Sequence, residues 1–338
     1  MEKNLQTQPL DEKLFEFSNT DHADNEEIKG KSVGFWQGAM RRLVKQKISM
    51  ISLILIVIFV AGAIIIPWGK DAEIKYQDPK IQNLPPKIPG LSSLGIFDGT
   101  RNGVDVYAQK GVTRDYYFGT DDLGRDLWLR VWAGLRTSLL IALIVTTVEF
   151  VLGAIIGGIS GYFGKTADMV IQRVLDVLVN IPVLIVLLIV SMAMGQGFWP
   201  LVLGLSFTAW IGFSRLVRAQ ILKYKDHEFV LASRTLGANH KRIIFDHLFP
   251  NMVSVFIVAL ALDFPAVILS EAFYTLLGLG LPAGEISLGQ LIVENVGKLQ
   301  TFPYQLIIPT VFMGLISLTF NLIGNGLRDA LDPKLKDR

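Results

Sequence analysis

Glu228-Phe-Val-Leu-Ala-Ser-Arg-Thr-Leu-Gly-Ala-Asn-His-Lys-Arg-Ile-Ile-Phe-Asp-His-Leu-Phe-Pro-Asn251 is a polar, helix-prone stretch with very apolar chain on both sides of it. Its own residues read as a helix–turn–helix. Glu228 to Leu236 can form one helix. Gly237 suits the position just past a helix end, where a left-handed residue stops the helix at little cost. Lys241 to Leu248 can form a second short helix, and Pro250 then opens the next apolar run. Val230, Leu231 and Arg234 would share a face that a soluble protein could grip, and Ala232 and Gly237 stand at close-packing positions. The competing reading is a solvated connector with a chance turn. A membrane chain that keeps so organised a polar loop between two spans is expected to use it to touch something soluble.

The rest of the composition fits a membrane chain. The protein has 338 residues, of which 51% are hydrophobic and 18% charged, and its mean hydropathy is +0.44. An average soluble domain is about 25% charged. The apolar residues gather in long runs, which predict spans at about 48–67, 137–163, 170–194, 198–218, 251–279 and 304–325, each near or above the roughly 20 residues a crossing needs. The expected fold is therefore an all-α polytopic membrane protein with six transmembrane helices. The net charge of +2 argues neither for nor against nucleic acid, and no nucleic-acid partner is expected. There is no cysteine, which excludes disulfides, thiolate metal sites and cysteine nucleophiles. The first 30 residues carry eight acidic residues against three lysines and lack the basic start and early apolar core of a cleavable signal.

Charge distribution predicts the topology. Lys31, Arg41, Arg42, Lys45 and Lys47 form a basic collar directly before the first span, which places residues 1–47 in the cytoplasm as a tail. The loop 219–250 holds Lys223, Lys225, Arg234, Lys241 and Arg242, whereas 280–303 holds only Lys298. The C-terminal tail, 326–338, adds Arg328, Lys334, Lys336 and Arg338. Alternation and charge agree on a plasma-membrane protein with both termini cytoplasmic. Residues 68–136 form a polar, proline-bearing region expected to be an extracellular lobe. Within it Leu127, Val131 and Leu135 recur every four residues beside Trp128 and Trp132. That pattern is expected to be an amphipathic helix at the membrane surface; a lobe helix burying the same stripe is the alternative.

Other residues carry weaker signals. Gly153, Gly157 and Gly161 form one small-residue helix face, which predicts close approach of another span. Glu149, Asp263 and Glu271 fall inside predicted spans, with Asn180 and Asn321 as neutral polar companions. A carboxylate at membrane depth is costly, so it should line a wet path or bond another helix. Asp263 stands two residues before Pro265, where a broken helix would free backbone groups. Gly164-Lys165-Thr166 mimics the end of a phosphate-binding loop, but Ile159 stands where that loop needs its first glycine. The segment also follows an apolar span instead of a strand. No cofactor is therefore expected on this chain. Nothing suggests a metal site, a catalytic residue or a nucleophile–base pair, so the chain is not expected to be an enzyme.

The opening stretch resembles the loop by which permease subunits of ABC importers engage their ATPases. That pattern is roughly Glu-Ala-Ala, three residues, Gly, then an Ile and a Leu-Pro. Leu231-Ala232-Ser233 stands where Glu-Ala-Ala would be, and Gly237 and Pro250 keep their places. The resemblance continues through Gly119-Thr-Asp-Asp-Leu-Gly-Arg-Asp126, then Arg130, Gly134, Arg136, Ser138 and Leu139. Gly161-Tyr-Phe-Gly164, Asp168, Arg173, Asp176 and Ile181-Pro182 follow, as do Glu271, Leu276-Leu-Gly-Leu-Gly280, Asn321 and Gly326-Leu-Arg-Asp-Ala-Leu-Asp-Pro333. Together they look like the dipeptide/oligopeptide/nickel branch, over about residues 38–335. Pro85-Pro-Lys-Ile-Pro-Gly-Leu91 with Phe97-Asp-Gly-Thr100 is similar to oligopeptide permeases of the C type from Gram-positive bacteria. The departures are Leu231 and Ser233, Leu288 after Ser287 where a Trp is usual, and Asn325 where Asp is usual.

The resemblance implies a five-span permease core at 137–325, added to the N-terminal span at 48–67. It implies Glu228, Leu231, Ala232, Ser233, Arg234, Gly237, Ala238 and Pro250 as the ATPase-coupling residues. It further implies a second, homologous permease, two cytoplasmic P-loop ATPase subunits, an extracellular lipid-anchored binding protein, and oligopeptide as substrate. Nickel or a metal chelate is the alternative substrate within the branch. A proton-coupled secondary transporter using Glu149 or Asp263 is the rival from another class; it usually shows internal repeats, and none is convincing here.

Overall fold

The computed structural model describes residues 35–92, 95, 97–282 and 284–331. The expected N-terminal tail before residue 35 and the end of the C-terminal tail lie outside the described residues. The chain divides into two units at Gly38, and the packing described below belongs to the second. α1 (Phe35–Lys45) leads into α2 (Lys47–Ile65). The 19 residues of α2 are apolar all round, the composition of a helix surrounded by lipid and protein instead of water. α3 (Asp71–Lys75), a two-stranded antiparallel hairpin of β1 (Thr100–Arg101) and β2 (Val104–Asp105), and α4 (Val106–Lys110) then build the lobe. Its small core is Ile81, Leu84 and Tyr107. The Tyr107 hydroxyl donates to the Pro85 carbonyl at 2.9 Å, so burying the phenol strands no polar atom.

The remaining helices are α5 (Leu127–Phe163), α6 (Lys165–Val179), α7 (Val183–Met194), α8 (Phe198–Tyr224), α9 (Glu228–Thr235), α10 (His240–Arg242), α11 (Phe249–Leu276), α12 (Leu288–Asn295) and α13 (Pro303–Leu331). Among the described residues, five helical runs are long and apolar enough to cross a membrane: α2, α5, α8, α10 running on into α11, and α13. A sixth crossing exists where α6 and α7 count as one span, and that pair is bent by 76°. The sequence reading drew this span as continuous. The break falls at Asn180–Pro182, where proline removes a helix donor and its ring disfavours helix at Ile181.

α5 also differs from the expectation. Residues 127–136 do not form a separate interfacial helix. They are the first turns of a single 37-residue helix whose N-cap, Asp126, accepts from the Trp128 N–H at 2.9 Å. Leu127, Val131 and Leu135 are wholly buried and Trp132 nearly so. They form the core at the lobe end, with Phe59 of α2, Ile268 of α11, Leu291 of α12 and Ile316 of α13. A second core lies at the other end, where Tyr162, Phe213, Val217 and Ile221 of α5 and α8 meet Val230, Leu248 and Phe256.

Candidate functional site

The stretch 225–251 folds as two helical pieces around a turn. Glu228 stands in the first turn of α9, where a carboxylate complements the helix dipole. At the other end the Gly237 N–H donates to the Arg234 carbonyl and the Ala238 N–H to that of Ser233, both at 3.0 Å. This is the paired closure of a Schellman motif. It requires a left-handed residue, and Gly237 has φ +80°. Asn239 then caps α10, accepting from the Arg242 N–H at 2.8 Å. The second piece does not stop before the next span. A π-helical segment, Ile243–Leu248, carries it directly into α11, with Pro250 in the first turn of that helix. Proline cannot donate to the fourth residue before it and its ring crowds that carbonyl; the wider π turn gives it room.

Burial sorts the candidate residues. Glu228, Leu231, Ala232, Arg234, Gly237 and Pro250 are exposed, whereas Ser233 and Ala238 are half-buried. Val230, which the sequence reading put on the gripping face, is wholly buried in the core beside Ile243 and Leu248. Ala232 is open, and a Cβ added at Gly237 would meet nothing within 4 Å. Neither residue is packed closely within this chain. The same loop leaves Leu236 89% and Phe245 63% exposed, beside Leu231 at 47%. Exposed apolar residues on a loop make it a candidate interaction surface. The sequence reading missed Leu236 and Phe245; their placement beside the turn was the available signal.

The loop is tied to the body through Tyr162, in the last turn of α5. Its hydroxyl shares a 2.8 Å hydrogen bond with His240 Nδ1, and the Arg234 guanidinium lies 5.6 Å over its ring. Ser233 Oγ also meets His247 Nε2 at 3.2 Å. Nearby, Asp168 takes both arms of Arg218, at 2.5 and 2.6 Å, and Asp176 pairs with Arg215 at 2.8 Å. These pairs bind α6 to α8.

Between the ends, Gly153, Gly157 and Gly161 all face α8. A Cβ on Gly157 would fall 2.2 Å from the Ser214 carbonyl oxygen. Of the polar residues placed in spans, two are brought together: Glu149 on α5 and Asp263 on α11 are near enough to interact electrostatically. α11 continues as a helix through Pro265, so the expected break beside Asp263 is absent. Glu271 lies elsewhere, wholly buried. It accepts from Ser287 at 2.7 Å, Ser138 at 3.1 Å and Thr275 at 3.2 Å. Ser287 caps α12, so Glu271 fastens the start of α12 to α5 and α11. Asn180 bonds the Asp176 carbonyl at the α6–α7 break, and Asn321 bonds the Ser317 carbonyl on its own helix; neither joins the carboxylates.

The lobe end holds a charge network that the sequence reading did not single out. Arg130 is wholly buried. Its guanidinium donates to Asp121 at 2.5 Å and to Glu294 of α12 at 2.9 Å. Arg125 adds a 2.6 Å bond to Asp121. Beside it, burial raises the Asp126 carboxyl above the usual aspartate range, against the Trp128 N–H and the Arg114 charge.

A family model described as "binding-protein-dependent transport system inner membrane component" matches residues 150–337. The chain belongs to that family. A second model, the N-terminal TM domain of oligopeptide transport permease C, matches residues 34–86. The permease is 34% identical to the oligopeptide transport system permease protein OppC of Bacillus subtilis (strain 168) over 329 residues, covering 97% of this chain and 99% of that one. It is 37% identical to the dipeptide transport system permease protein DppC of Lactococcus lactis subsp. cremoris (strain MG1363) over 323 residues, covering 92% and 94%. Among solved structures, the MetNI methionine ABC transporter aligns with a TM-score of 0.50 at 17% identity, covering 61% of this permease and 96% of that chain. This last likeness speaks to the fold. Family membership together with the five or six crossings makes the protein a multi-pass membrane permease.

Proposed function

We propose that this permease is one of two membrane subunits of an ATP-driven, binding-protein-dependent importer of oligopeptides. A second, homologous permease completes the path, two P-loop ATPase subunits on separate chains supply the energy, and a lipid-anchored binding protein delivers peptide from outside. The observation that carries this reading is the 228–250 loop: a polar turn closed by Gly237, with Leu231, Leu236 and Phe245 exposed along it, and rooted in the core through Val230. A rigid loop with an apolar tip suits a groove on a soluble partner. Glu228, Arg234 and Pro250 lie on its open side. Leu231, which replaces a carboxylate of the family pattern, adds apolar contact there. Peptide is favoured over nickel or a metal chelate because the similar chains named above are oligopeptide and dipeptide permeases.

The lysines and arginines of the 219–250 loop support a cytoplasmic position for it and for both termini. Cysteines at Asn239 and Ser92 test this in intact cells. Ser92 should react with an impermeant thiol reagent and Asn239 should not; the reverse pattern would invert the topology. The function is tested by reconstituting the full complex in vesicles. ATP-dependent uptake of a labelled oligopeptide is expected. Uptake of nickel without peptide, or peptide uptake driven by a proton gradient with no ATP, would reject the reading.

A further inference from the structure

Motion begun at the loop has three ways into the membrane. α8 enters the loop and α11 leaves it, so both are joined to it covalently. α11 departs through the π-helical stretch Ile243–Leu248 and carries Pro265 further along. Both are features at which helices bend, so displacement entering α11 can be absorbed near the loop. The third way is non-covalent and leads to α5. Its 37 residues contain no proline and correspond to about 55 Å of helix, well beyond the roughly 30 Å hydrocarbon core. α5 is also stiffened by α8, whose Phe213, Ser214, Val217 and Ile221 sit directly against the bare backbone at Gly153, Gly157 and Gly161.

The two ends of α5 touch the parts that should move. In its last turn Tyr162 contacts both helical pieces of the loop, α10 through His240 and α9 through Arg234. In its first turns Arg130 holds Glu294 of α12, and Ser138 Oγ receives the Leu288 N–H at the start of α12 at 3.2 Å. One rod therefore links the loop to both ends of α12, on the lobe side. We propose that Tyr162 is the positioning residue that passes displacement of the coupling loop into α5, and that α5 carries it as a rigid rod to α12. This rests on the reading of the 228–250 loop as the ATPase-docking element.

The test uses the complete complex, with ATPases, partner permease and binding protein, in lipid vesicles, and reads peptide imported per ATP hydrolysed. Tyr162→Phe keeps the ring under Arg234 and removes only the hydroxyl. It should lower that ratio roughly fivefold, the scale of one lost net hydrogen bond, while the ATPases co-purify as in wild type. His240→Ala should do the same. His240→Asn, whose amide oxygen can take the place of Nδ1, should stay within about twofold of wild type. The Tyr162→Phe/His240→Ala double variant should be no worse than either single one, because both remove the same contact. A wild-type ratio in Tyr162→Phe would overturn the inference. So would loss of ATPase retention in proportion to uptake, which marks a merely structural bond. If Tyr162→Phe fails to accumulate, the two His240 variants decide, and equal behaviour of Ala and Asn overturns it. Gly237→Val, run alongside, separates the two ideas. Uncoupling there with a normal Tyr162→Phe sinks only the rod, whereas normal coupling in both sinks the docking loop itself.

Discussion

At the lobe end α5 is held by a buried ion network, and at the loop end by one hydrogen bond and a cation–π contact beside open apolar surface. Arg130 is wholly buried between Asp121 and Glu294. Tyr162 is joined to His240 by one hydrogen bond, with Leu236 and Phe245 left uncovered nearby. A buried ion network is a poor source of net stability, but removing one member strands the rest in low dielectric. It suits a place that must keep one geometry. A hydrogen bond worth about 1 kcal/mol net can be remade in another arrangement. The difference separates an end of α5 fixed by buried charge from an end joined to the 228–250 loop by a contact that can be remade.

The sharpest way to break this comparison is Arg130→Ala. It leaves Asp121 and Glu294 facing each other with Arg125 alone between them, and should cost about 3–5 kcal/mol. A large drop in thermal midpoint and protease cutting within 68–126 are expected; a stable protein with an intact lobe would show that the network is not an anchor. Next in size is the α5–α8 contact. Gly157→Leu must push its Cβ against the Ser214 carbonyl, an overpacking cost of about 1–3 kcal/mol. Gly158→Ala, one residue on, meets nothing within 4 Å and should melt within a degree or two of wild type. Equal behaviour of the two would mean that α5 and α8 are not a rigid pair. Smallest is Glu228→Ala, because one exposed carboxylate at an interface rim contributes little. ATPase retention should fall by less than about threefold; complete loss would make Glu228 a central contact and shift the docking surface toward the start of α9.

What the sequence revealed follows the range of each signal. Gly237 acts on its own backbone, so the turn was readable from a single residue, whereas the start of the following span was not: the second piece runs through Pro250 into α11 without a break. The glycine spacing of α5 was readable because helical periodicity is local. The stripe at Leu127, Val131 and Leu135 was visible, yet its environment was not: an apolar stripe with tryptophans looks alike whether it meets lipid headgroups or a core. Val230 was misplaced for a related reason. Neighbours on one helix face need not be equally exposed, and here Val230 turns into the body while Arg234 reaches over Tyr162. The pairs that fasten both ends of α5 were illegible because their members are far apart, 78 residues for Tyr162 and His240 and 164 for Arg130 and Glu294.

The most direct test of the central claim is Gly237→Val in the reconstituted complex, with peptide uptake and ATPase co-purification measured together. Valine at φ +80° is strained by roughly 1 kcal/mol or more and adds bulk on the open side of the turn. The spans lie outside the altered loop and should insert normally. The account predicts membrane insertion at wild-type levels with uptake lost and ATPase retention or coupling impaired. Normal uptake with normal ATPase retention would show that the 228–250 loop is not the element that couples this permease to its energy source.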